Sequence, residues 1–235
     1  MRIIIILACI LWYCLTGSAF GQQTSETNLS LGFSKSASSD HNENWEDTSP
    51  IYLLVGATKS WYGDDSDHRF SLRKEAGLHF QYANINQYNG GLGAGNHFTG
   101  SITSLFATAA LQARVRIYPH FAIALGPEAE ILLLGKNNLT NDYFSKLNGP
   151  NPTIGQTQIK GLNRNYFPQP SYGLKLSLFE KGINENTTIG INISHLWTKS
   201  ESSNFFVSNY TRLTLFLGFR MPKKESSFDP PLGTY

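Results

Sequence analysis

Apolar and polar residues alternate with a period of two along most of this chain. The longest run covers residues 105–117. Leu105, Ala107, Ala109, Leu111, Ala113, Val115 and Ile117 form one face, and Phe106, Thr108, Ala110, Gln112, Arg114 and Arg116 form the other. Strict alternation predicts strands with two different faces. The same pattern predicts strands at 28–35, 51–61, 70–82, 121–133, 172–178, 189–197 and 210–221, making eight. Pro127 interrupts the 121–133 run and, having no N–H, should sit at a bulge or a gap in the ladder. No segment reads as a convincing helix.

The connections alternate in length. Those at 36–50, 83–101, 136–169 and 200–208 are long, and those at 62–69, 118–120 and 181–186 are short. Outer-membrane barrels pair long external loops with short periplasmic turns in this way. A strand of about 13 residues at ~3.3 Å per residue and a tilt near 45° also spans the apolar band of such a membrane. The expected fold is therefore all-β, a closed antiparallel up-and-down transmembrane β-barrel of about eight strands. Both termini would lie in the periplasm.

Alternation alone leaves open which face is outside, since a soluble lipocalin-type barrel would put the apolar face inward. Two features favour the outward choice. The polar face is rich in Gly, Ser, Thr and Ala with a few charges of both signs, which suits a narrow lumen. Aromatics also gather near strand ends: Trp61, Tyr62, Tyr118, Phe121, Phe179, Trp197 and Phe219. Of these, Trp61, Tyr118, Phe121, Trp197 and Phe219 are assigned to interfacial girdles. Lys59 and Lys74 fall on apolar faces beside the 62–69 turn, where they are expected to mark the membrane edge.

Composition agrees with this picture. Charged residues make up 15% of the 235, mean hydropathy is −0.24, and the formal net charge is +2. No basic run exceeds Lys223 and Lys224, so no nucleic-acid partner is expected. Residues 1–21 read as a signal peptide. Arg2 supplies the positive start, and an apolar run of about 13 residues is too short for a membrane helix. Ala19-Phe20-Gly21 has the small-x-small form of a cleavage site, near Gly21 and Gln22. Cys9 and Cys14 both lie in this leader, so the exported chain would have neither a disulfide framework nor a thiolate site. The remaining divisions are a periplasmic tether at 22–27, the barrel at 28–221 and a periplasmic tail at 222–235.

The exported chain resembles the eight-stranded outer-membrane barrels of OmpA/OmpX type, and within them the outer membrane protein beta-barrel domain group common in Bacteroidetes. The likeness rests on the leader, the strand count, the Tyr118-Pro119-His120-Phe121 turn and the final strand Leu215-Phe216-Leu217-Gly218-Phe219-Arg220-Met221. It implies outer-membrane lipid as surroundings and the barrel-assembly machinery as a partner during insertion. It also implies a possible external ligand or protein at the loops. The chain departs from the pattern after the last strand, where Pro230 and Pro231 belong to a tail that cannot be a strand.

The inward-facing charges are Arg73, Glu75, Arg114, Arg116, Glu128, Glu130, Lys175, Arg212 and Arg220. They are expected to form a salt-bridged plug, with a narrow ion path as the rival reading. A lipid A-modifying enzyme is the weakest reading. His195 lies on the outward face, but Trp197 stands where a serine two residues on would be needed, and no histidine has Ser at that spacing. No catalytic residue, cofactor or metal site is therefore expected. Asp64-Asp65-Ser66-Asp67 lacks the spacing of a calcium loop and reads as a solvated turn. The Gly-rich stretch 90–95 has no strand-to-helix unit around it and is not a nucleotide motif. Tyr143, Phe144, Tyr166, Phe205 and Phe206 are loop aromatics that either meet a partner or pack the loops. The function expected is structural or interactive through external loops, with a small pore or a soluble ligand carrier as alternatives.

Overall fold

A computed structural model of the protein describes residues 23–37, 51–63, 69–91, 94–145, 153–161, 170–182, 186–198 and 209–220. The leader, the 64–67 acidic cluster, the tail, Tyr166, Phe205 and Phe206 lie outside the described residues. Among the described residues nine strands are formed: β1 Gln23–Ala37, β2 Ile51–Gly63, β3 Phe70–Gly91, β4 Ala94–Arg116, β5 Phe121–Ser145, β6 Thr153–Gly161, β7 Ser171–Lys181, β8 Thr187–Thr198 and β9 Asn209–Arg220. Every pairing is antiparallel, in the order β4-β3-β2-β1-β9-β8-β7-β5, and β4 pairs with β5 to close a ring of eight. β6 stands outside the ring and, among the described residues, pairs only with the far end of β5.

Alternation sorts the side chains. Leu31, Leu53, Leu174, Ile189 and Leu215 point out and are half or more exposed. Glu75, Glu128, Lys175 and Arg212 point in and are buried. The apolar face is thus outside and the polar face inside, the reverse of a lipocalin.

Three expectations are corrected. The supposed tether is strand from Gln23 onward, and Glu26 is buried in the lumen. It was missed because both faces of residues 23–28 are polar, so hydropathy shows no alternation there. The supposed loops at 83–101 and 136–169 are largely ladder. β3, β4 and β5 run to 22, 23 and 25 residues, against 11 to 15 in the other barrel strands. The excess of about ten residues is roughly 30 Å of strand, and with β6 it forms a four-stranded ribbon beyond the barrel. Lys74 does not mark an edge. It is buried, opposite Trp61 and Leu111 in register, and Phe70 and Leu72 continue the exposed apolar face on its turn side. Lys59 lies on the other side of Trp61, its Nζ 5.7 Å from a ring centroid. Long lysine stems can lie along apolar surface in this way.

β5 changes partner where the barrel passes into the ribbon. Its residues 121–130 pair with β7, and its residues 137–145 pair with β6. Between them the β4–β5 register shifts, with Leu105 opposite Leu134 and Phe106 opposite Leu132, so Leu133 is an extra residue. Such a bulge bends and twists its strand. Lower down, the same ladder is interrupted at Leu111 and Gln112 opposite Gly126 and Pro127, a gap of the kind proline imposes.

Inward glycines let neighbouring strands approach. A Cβ on Gly173 would lie 1.9 Å from the His195 carbonyl oxygen. Gly173→Val should therefore destabilise the barrel by roughly 1–3 kcal/mol, the usual cost of overpacking. Urea unfolding in detergent micelles measures the change.

Candidate functional site

The lumen is filled from wall to wall by a chain of ion pairs. Arg73 lies 3.1 Å from Glu75, and Glu75 pairs with Lys175. Lys175 is 3.9 Å and Arg212 3.8 Å from Glu128, and Arg212 is 2.5 Å from Glu130. Three cations thus alternate with three carboxylates contributed by β3, β5, β7 and β9, and their charges cancel. Balance of this kind matters because a buried charge without a partner costs several kcal/mol.

Neutral groups complete the plug. Ser60 donates to Glu75 at 3.4 Å and accepts from Arg73 at 3.0 Å and Asn28 at 2.7 Å. Gln112 donates to Ser177 at 2.9 Å. Tyr210 donates to Glu130, and Arg212 bonds the His79 Nδ1. Alternation places His79 and Gln112 on the polar faces without assigning them to the charge network, and sequence reading missed Glu26 and Tyr210 as members of this interior. Tyr210 shares the inward parity of Arg212, so that signal was available, whereas Glu26 lies in a stretch polar on both faces and gave none.

The other sequence-selected charges stand lower. Arg114 is buried between aromatic rings, with its Cζ 4.8 Å from Tyr62 and 5.4 Å from Phe179. Arg220 is half-buried, 5.6 Å from the same Tyr62 ring. Arg116 is half-buried beside them at the turn end. Tyr62 and Phe179, grouped by sequence with the strand-end aromatics, face the lumen and belong to no outer girdle.

Trp61, Tyr118, Phe121 and Phe219 lie at the turn end, with Trp197 at the loop end beside Tyr172 at 6.5 Å. His195 is outward-facing. Its ring packs edge-on to Trp197 at 4.9 Å, and its Nδ1 is 2.9 Å from Thr211 Oγ1. The loop-end mouth is capped differently, by an apolar cluster of Tyr52, Ala83, Ile85, Phe98, Ile102 and Leu139, with Leu132 and Ile159 packed against it.

No known protein family matches the chain, and no curated protein matches it. Among solved structures it is similar to Neisserial surface protein A, with a TM-score of 0.40 and 9% identity over 85% of this chain and 97% of that one. The outer membrane enzyme PagL gives 0.41 and 10% over 83% and 98%. Ail, the attachment invasion locus protein of Yersinia pestis, gives 0.34 and 10% over 86% and 99%. Likeness this slight assigns neither a family nor an activity.

Breaking one ion pair should cost far more than removing both partners. Glu75→Gln leaves Arg73 and Lys175 short of a carboxylate and should destabilise the barrel by roughly 3–5 kcal/mol. The double variant Glu75→Leu with Lys175→Met should lose clearly less. Equilibrium urea titrations of wild type, Glu75→Gln, Glu75→Leu, Lys175→Met and the double variant test the difference.

Proposed function

We propose that the protein is an integral barrel of a bacterial outer membrane, with a plugged lumen and a protruding ribbon that makes contact with partners outside the cell. One observation carries the membrane part. Along β3 the faces exchange character while the alternation stays in phase. From Phe70 to Tyr82 the outward residues Phe70, Leu72, Leu78 and Phe80 are apolar, while Arg73, Glu75 and His79 point inward. From Ala83 onward the inward residues Ala83 and Ile85 are apolar and buried, while Asn84 and Asn86 point outward and are exposed. A strand passing from hydrocarbon into water needs this exchange. Within the band its outer face meets lipid, and beyond the band its inner face must build an ordinary apolar core.

The ring supports the same reading. A closed sheet leaves no unpaired backbone edge, and unpaired N–H and C=O groups in hydrocarbon cost several kcal/mol each. The interaction role is supported by the ribbon. Among the described residues β6 is paired on one side only, and an unpaired strand edge is the kind of surface that recruits further strands. The interior supports a plug over a pore, since the charges that would line an ion path are bound to one another.

Two measurements test this. Leu215, 62% exposed and opposite Leu31 in register, should face lipid. Leu215→Arg should destabilise the barrel in a bilayer by roughly 2–4 kcal/mol, whereas on a soluble exterior it would be near neutral. Unfolding in phosphatidylcholine vesicles, together with a band that remains in the membrane fraction and shifts on boiling, supports the reading. A soluble band with no shift overturns it. Trypsin applied to whole cells should cut at the exposed Lys160 of β6 and spare Lys59. Protection of Lys160 would reverse the assigned orientation.

A further inference from the structure

Near the loop end the outward face of the barrel turns from apolar to polar along a single row. Lys35 of β1 stands opposite Thr211 of β9, and Thr211 stands opposite His195 of β8. All three point outward. Lys35 and Thr211 are exposed, and His195 is half-buried. At a strand spacing of about 4.8 Å the row is roughly 10 Å wide, with the hydroxyl between the lysine and the imidazole. On its turn side lie Phe33, Ile193 and Leu215, all exposed and all part of the apolar belt. On its loop side the Trp197 ring meets the His195 ring edge-on at 4.9 Å, with Tyr172 at 6.5 Å from Trp197. Such aromatics mark the headgroup level of a membrane.

The row is built to donate. The His195 Nδ1 is 2.9 Å from Thr211 Oγ1. If the hydroxyl donates to Nδ1, the imidazole keeps its Nε2–H. If Nδ1–H donates, the hydroxyl keeps its own proton. Either tautomer leaves the pair one donor for a further acceptor. Lys35 adds a positive charge and N–H donors on a stem that lies readily along apolar surface. Among the described residues no carboxylate faces outward on β1, β2, β7, β8 or β9 at this level, and the outward Glu180 is at the opposite end of β7. Asp40, Glu43, Glu46, Asp47 and Glu201 belong to flanking connections outside the described residues.

We propose that this row binds the anionic phosphate of a lipid headgroup, whose acyl chains lie along the belt of Phe33, Ile193 and Leu215. Lys35 supplies the charge, and the His195–Thr211 pair supplies the second point of attachment. Trp197 and Tyr172 border the site on the loop side. An amphiphile fits because the donors adjoin apolar surface, so one molecule meets both at once. The inference rests on the membrane reading above and names the lipid chemistry that the outer face selects.

Fluorescence quenching at Trp197 tests this locally. With Trp12→Phe, Trp45→Phe and Trp61→Phe, Trp197 is the sole tryptophan of the full-length chain. The protein is folded into phosphatidylcholine vesicles that contain a fixed share of lipid brominated on the upper acyl carbons, either phosphatidic acid or phosphatidylcholine. Quenching should show a preference for phosphatidic acid of about fivefold, the order that one lysine supplies near an anionic surface. Lys35→Gln should abolish the preference. His195→Phe, which keeps a ring against Trp197 but has no donor, should lower it about threefold, as for loss of one hydrogen bond. Lys59→Gln, at the opposite rim, should leave it unchanged, and an equal loss there would overturn the site as a general charge effect. The mobility shift on boiling confirms that each variant is folded. Equal quenching by the two lipids, as when a loop carboxylate already neutralises Lys35, overturns this inference alone. Quenching by neither lipid overturns the membrane reading and this inference with it.

Discussion

Closure of the ring between β4 and β5 is the constraint on which the rest of the structure depends. It pairs the two strands that would otherwise be edges and fixes a lumen too narrow for anything but side chains. Once the ring is closed, a residue faces in or out by parity alone. A single-residue slip in any ladder would turn Glu75, Lys175 or Arg212 toward the outside and a leucine toward the lumen. The registers are therefore specified on both faces at once.

The narrow interior explains the chemistry inside it. Arg73, Glu75, Lys175, Glu128, Arg212 and Glu130 come from β3, β5, β7 and β9, on opposite parts of the wall. They meet across the lumen because its radius matches the reach of two long side chains. Serines and glycines on β1, β2, β7 and β8 leave the room. Polar groups share the lumen with a smaller apolar cluster of Ala122, Ala124, Phe179 and Phe216, so on the membrane reading much of the burial energy comes from the outer face in lipid.

The two ends serve different surroundings. At the loop end, the bulge at Leu133 lets β5 leave β7 and take up β6, and the ribbon closes over the apolar cluster of Tyr52, Ile85, Phe98, Ile102 and Leu139. At the turn end, short connections hold the strand ends together and gather Arg114, Arg116, Lys181 and Arg220. A charge-balanced middle lies below the apolar cluster.

The eight barrel strands, their antiparallel sense and the inward set Arg73, Glu75, Glu128, Lys175 and Arg212 were legible in the sequence. They depend on a period of two and on turn lengths, and both are local. The tether and the ribbon were not. Residues 23–28 are polar on both faces, and 83–91 and 94–101 invert their polarity, so hydropathy alone reads each as loop. Backbone pairing with a distant strand is what makes them strand. Nor does a one-dimensional pattern say which charges meet. Glu75 and Lys175 stand a hundred positions apart, and only the shear of the closed ring brings them together. The alternation along the chain determined which residues share a face. The closing of the sheet decided which face is inside and which partner each charge finds, because those depend on the radius and register of a ring that no single strand contains.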